Sequence, residues 1–118
     1  MTILILTTII SLVAGVLSGL LGIGGGLILV PLFHYVLKMN MHVAVGTSLA
    51  IIVPTALVGM FRHSSGNFVD WRVFTYSVLF AVIGGFIGAS VSMNLDVTVL
   101  KKVFAGFLIL IAIKMFFQ

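Results

Sequence analysis

No charged side chain precedes Lys38, and as one continuous helix those 37 residues would reach about 55 Å at 1.5 Å per residue. A bilayer core is about 30 Å thick, so the stretch is too long for one crossing and short for two with a loop. The break is legible at Gly22-Ile23-Gly24-Gly25-Gly26, where four glycines in five positions remove the propensity that would carry a helix through. This spacing predicts one helix over about Ile3 to Leu21 and a shorter one over about Leu27 to Leu37. Pro31 sits early in the second, where its missing N–H costs less than in a helix centre, or kinks it.

Charge positions mark the remaining spans. Met39 to Phe61 and Val73 to Leu95 are charge-free stretches of 23 residues each, the length of a single crossing. Val97 to Phe117 is less clean, since Lys101 and Lys102 lie near one end and Lys114 near the other, where lysines snorkel to the headgroups. The chain is 62% hydrophobic and 7% charged, which excludes an ordinary soluble globule. The expectation is an all-α polytopic membrane helix bundle of about four spans with a discontinuous, glycine-broken first helix. Residues 1–118 form a single transmembrane domain without an internal repeat. The N-terminus lacks a basic n-region and an A-x-A-like cleavage site, so the first apolar run is expected to stay in the mature protein.

The chemistry available is narrow. There is no Cys and no Glu, and Asp70 and Asp96 are the only side-chain carboxylates. That disfavours thiol catalysis, paired-acid hydrolysis and metal sites, and we expect neither an enzyme nor a cofactor. No carboxylate lies within an apolar span, which argues against an exporter exchanging drug cations for protons. The net charge of +4 is spread along the chain instead of forming a basic stripe, so no nucleic-acid partner is expected. The glycine run follows a membrane span and not a strand, so it is not read as a dinucleotide motif.

Irregular backbone at membrane depth is tolerated only where it is buried in protein or lines a watery cavity. A half-helix beginning near Gly26 presents free N–H groups and the positive end of its dipole, the arrangement that binds oxyanions. Gly22, Gly24, Gly25 and Gly26 are therefore expected to bind a small anionic substrate, since close packing does not need three consecutive glycines. Thr47 and Ser48 are hydroxyl donors for the same site, with bonding to their own helix backbone as the alternative. Pro54 should free the carbonyl of Ala50, with Thr47, Ser48 and Thr55 nearby to satisfy freed backbone groups. His34 and Arg62 are candidates for gating or coupling. For Arg62 and His63 an orientation role at a span end is the plainer reading, and for His34 an interface position. Asp70 is a suitable N-cap for a helix opened by Trp71, while Gly15 with Gly19 and Gly84 with Gly88 form small faces suited to close packing.

Gly15-Val16-Leu17-Ser18-Gly19-Leu20-Leu21-Gly22-Ile23-Gly24-Gly25-Gly26, then Val30-Pro31, Ala44-Val45-Gly46-Thr47-Ser48-Leu49 and Gly66-Asn67-Phe68-Val69-Asp70-Trp71, resemble the sulfite exporter TauE/SafE family of membrane transporters. The resemblance runs from about Ile10 to the C-terminus. It implies transport of sulfite, sulfonates or other sulfur-containing organic anions across the bacterial cytoplasmic membrane. Typical members of that family have about twice this length, built from two related halves, and this chain resembles the N-terminal one. A homodimer that rebuilds the two-halved transporter is the expectation. A non-transporting assembly or accessory subunit, or a fragment of a longer transporter, is the alternative. Lys38, Lys101 and Lys102 fall on one side of the membrane and Arg62, Arg72 and Lys114 on the other, which gives no positive-inside bias. If the first stretch folds back, the crossings are odd and an antiparallel dimer would mimic inverted repeats. If it crosses once, the dimer should be parallel.

Overall fold

The structure is a computed structural model describing residues 1–118. Its elements are five helices: α1 (Thr2–Leu21), α2 (Gly26–Tyr35), α3 (Met41–Ser65), α4 (Trp71–Asn94) and α5 (Val97–Phe116). They fall into two compact units, Met1–Val78 and Leu79–Gln118, with α4 continuous through the boundary. The all-α, glycine-broken architecture expected from the sequence is the one present. By length and composition α1, α3 and α4 are suited to cross a membrane, while α5 has 20 residues and carries Lys101, Lys102 and Lys114.

The break after α1 is made by backbone that only glycine adopts cheaply. Gly22 closes α1 in the left-handed region, with φ +68°, and donates its N–H to Ser18 O at 2.8 Å. Gly25, with φ +75°, opens α2, and its carbonyl accepts from the N–H groups of both Ile28 and Leu29. An L-residue held in that region loses roughly 1–2 kcal/mol, so the glycines terminate one helix and start the next.

α2 returns alongside α1. The space above Gly26 is filled by Ile52 of α3, whose Cδ1 is 3.1 Å from where a Cβ would stand. Leu29 and Phe33 of α2 pack with Ile10 and Ala14 of α1 and Ala44 of α3 in the buried core of the first unit. Alanine at 14 and 44 lets the helices approach closely, which matters because dispersion contacts drive helix association in lipid. The carboxyl ends of α1 and α3 meet, since His63 lies against Gly19. α1 and α3 therefore point the same way, and the intervening stretch folds back between them.

α2 stops at Tyr35, two residues before the expected end at Leu37. The reason is a turn fastened from both directions at Met39: its N–H donates to Phe33 O at 3.1 Å, and its carbonyl accepts from His34 Nδ1 at 2.8 Å. Lys38 takes φ +55° to make the turn. Pro31 lies inside α2, at the sixth of its ten residues, and not in its first turn.

α3 starts on Asn40, whose Oδ1 accepts from His42 N at 2.9 Å. It continues through Pro54 and beyond Arg62 to Ser65, a turn longer than the charge-free stretch suggested. Thr55 Oγ1 donates to Ile51 O at 2.8 Å beside the proline. Asp70 opens α4 as expected, accepting from Arg72 N at 3.0 Å and Val73 N at 3.2 Å. In the second unit the rest of α4 is followed by Leu95 and Asp96 and then α5. No residue of α4 or α5 is buried within the chain.

Candidate functional site

Where α1 ends, its last carbonyls point beyond the helix and need donors from elsewhere. Ser18 O receives the Gly22 N–H; Gly19 O receives the ring of His63, with Nε2 at 3.1 Å. A carbonyl only accepts, so Nε2 carries the proton in this bond. This contact joins residues 44 positions apart and ties the end of α3 to the end of α1.

Around it lies a cleft of about 290 Å³ lined by Ser18, Gly19, Gly22 and Gly24 on one side and by Thr55, Ala56, Gly59, Met60, His63 and Val69 on the other. Glycine at 19, 22, 24 and 59 leaves the walls without side chains, so a ligand meets backbone. Thr55 presents a hydroxyl whose own proton is directed at Ile51 O, leaving oxygen lone pairs outward. No acidic side chain lines this space. A wider, more open groove of about 590 Å³ shares Gly19, Thr55 and Gly59 with it and is lined by Arg62, Ser11 and Gly15. Both are mostly apolar spaces beside α1 and α3, the first carrying the His63 imidazole and the second the Arg62 guanidinium.

The sequence-derived site residues are distributed unevenly over this geometry. Gly22 and Gly24 line the cleft. Gly25 is buried next to it, and a Cβ there would stand 3.5 Å from Ala14 O and from Ser18 Cβ. Gly26 packs against Ile52, and beyond it the amides of Gly26 and Leu27 lie outside the α2 hydrogen-bond ladder. Thr47 is half-buried and Ser48 is 1% exposed; both sit earlier on α3, outside the cleft lining. Ser48 Oγ is buried without a hydrogen-bond partner. His34 is engaged with Met39 O at the far end of α2, and Arg62 lines the wider groove. Ser18, Thr55 and Gly59 were not singled out as site residues in the sequence. The signal available for His63 was the glycine cap itself, which strands carbonyls that a nearby donor must satisfy.

Residues 6–118 match the family described as sulfite exporter TauE/SafE. The chain belongs to this family. The match covers all five helices almost completely. Among curated proteins it is similar to a probable membrane transporter protein of Methanocaldococcus jannaschii, with 32% identity over 93% of this chain and 43% of the relative. A probable membrane transporter protein of Haemophilus influenzae is 32% identical over 97% of this chain and 46% of its own length. Another, YunE of Bacillus subtilis, is 31% identical over 92% of this chain and 40% of its own. The chain thus spans less than half the length of these TauE/SafE relatives. No solved structure matches it.

Proposed function

We propose that this TauE/SafE chain carries small anions with a sulfite or sulfonate head across the bacterial cytoplasmic membrane, using the cleft at the helix break. The observation that carries this reading is the cleft's composition: backbone of Gly22 and Gly24, the imidazole of His63 and no carboxylate, beside the amino end of a half-helix. The positive end of the α2 dipole without a competing acid suits an oxyanion and disfavours a cation. Gly24 and Gly22 admit the ligand, Gly25 and Gly26 hold the α2 amino end in place, and Arg62 adds positive charge along the approach. Thr47 and Ser48 act from deeper on α3.

The working unit in this proposal is a homodimer. Related transporters are more than twice as long, and the faces of α4 and α5, including Gly84 and Gly88, are uncovered within the chain. Because α1 and α3 point the same way, the first stretch folds back, which supports an antiparallel pair resembling inverted repeats.

The test is flux of sulfite and of sulfonates into liposomes holding the purified chain, with crosslinking of the same sample to count subunits. Flux from a dimer is expected, and Gly25→Leu, which forces a side chain against Ala14 and Ser18, is expected to abolish it with membrane insertion intact. Absence of flux together with a stoichiometric larger membrane partner would instead make the chain an accessory subunit.

A further inference from the structure

We infer that the cleft leads to an inner oxyanion position at the amino end of α2, made by the amides of Gly26 and Leu27 and the hydroxyl of Ser48 and closed by the side chain of Ile52, an inference that rests on the cleft being the anion site. The pointer is Ser48. Thr7, Thr8, Thr55, Thr75 and Ser90 each donate their hydroxyl to the carbonyl four residues back, the usual way to satisfy such a group in an apolar helix. Ser48 does not: it is 1% exposed, and its Oγ is buried without a partner. An orphaned buried hydroxyl is costly and rare in a folded chain, so a group from outside the fold is expected to reach it in some state of the protein.

Its direction follows from the register of α3. Ala44, one turn before it, packs with Leu29 and Phe33 of α2. Ile52, one turn after it, covers the glycine break, with Cγ2 3.4 Å from where a Cβ of Gly24 would stand and Cδ1 3.1 Å from that of Gly26. Residues four apart share a helix face, so the buried Ser48 between them is turned toward the first turns of α2. There the amides of Gly26 and Leu27 have no intrahelical acceptor, and no side chain caps them. They stand at the positive end of a ten-residue helix. A hydroxyl can donate or accept, but beside two amides and that dipole end the ligand it meets is an anion.

These donors do not line the open cleft, and neither do Ser48 and Ile52. Gly24 does, and Gly24 is one of the two glycines that Ile52 covers. Ile52 therefore separates the cleft from the donors behind it. Rotation of this one flexible side chain admits a sulfonate oxygen to the amides and to Ser48 without moving a helix.

The probe is labelled methanesulfonate, measured on the full chain in nanodiscs. In nitrogen-labelled wild type, saturation is expected to shift the amide signals of Gly26 and Leu27, a reading that needs no variant to fold. Ser48→Ala is expected to weaken binding by about 10–100-fold, the loss of one hydrogen bond to a charged group. Without the anion its unfolding midpoint is expected to be unchanged or higher, since the substitution removes an orphaned group. Ile52→Ala is expected to speed both association and release of the anion.

Gly26 and Leu27 signals that stay in place while those of Gly22 and Gly24 shift, wild-type affinity in Ser48→Ala, or unchanged rates in Ile52→Ala would overturn the inner position and leave the anion cleft standing. A lowered midpoint in Ser48→Ala would overturn it too, since the hydroxyl would then have a partner within the fold. No methanesulfonate binding at any concentration would overturn the cleft reading itself, and the inner position with it.

Discussion

Replacing Gly25 by alanine tests whether the helix break is a backbone device or a packing device. At φ +75° an L-residue costs roughly 1–2 kcal/mol, whatever surrounds it. The added Cβ lands 3.5 Å from Ala14 O and Ser18 Cβ and 3.7 Å from Leu29 Cδ1, ordinary contact distances that neither clash nor contribute much. The whole penalty is therefore conformational. Gly26→Ala is the contrast. Gly26 is helical, so alanine gains about 0.8–1.0 kcal/mol of propensity, offset by pushing aside Ile52 Cδ1 at 3.1 Å, the end of a flexible side chain. The net change at 26 should be near zero. Gly22→Ala, with φ +68° and open space around its Cβ, should match Gly25→Ala, and Gly22→Asn should recover part of the loss because Asn tolerates left-handed backbone. The assay is reversible unfolding of each purified variant in mixed micelles, where 1–2 kcal/mol corresponds to a change of about 5–30-fold in the folded ratio. A Gly26→Ala penalty equal to that of Gly25→Ala would refute the backbone argument.

Asp70→Ala should remove the acceptor for the Arg72 and Val73 amides and lower stability by about 0.5–2 kcal/mol, with Asp70→Asn recovering most of it in the same unfolding assay. Phe33→Ala, at a side chain 2% exposed in the α1–α2–α3 core, should lower stability by about 3–5 kcal/mol if core packing in lipid is as tight as in water, and by less if lipid fills the space. A Cβ at Gly84 or Gly88 meets no atom within 4 Å inside the chain, so leucine at both should leave the unfolding midpoint nearly unchanged while weakening dimer crosslinking if a second copy packs on that face.

The parts of this architecture that depend on local chemistry were readable from the residues. Glycines at 22, 24 and 25 announced the break because left-handed backbone is a property of single positions. Asp70 announced the start of α4 because a cap acts over three residues. The end of α2 was not readable, since it depends on a ring in α2 reaching the carbonyl of Met39 across a turn. The cleft was half readable. Gly22 and Gly24 line it, but the opposite wall from Thr55 to His63 takes its place through packing of α3 along α1, a relation set by surface shape and not by spacing in sequence. Hydroxyl chemistry points to Thr47 and Ser48, with Thr55 only a partner for backbone near Pro54, and the winding of α3 puts Thr55 and not those two at the cleft.

The tie between His63 and Gly19 also bears on how the first unit keeps its order. It spans 44 positions, so it closes a loop that holds the whole glycine break, α2 and nearly all of α3. The entropy of closing a loop grows only slowly with its length, so a single contact this far along the chain restrains everything between the two helix ends at little more cost than a short loop would carry. The cleft lies beside that fastening and not in the core around Phe33 and Ala44, so its width answers to one hydrogen bond at the end of α1.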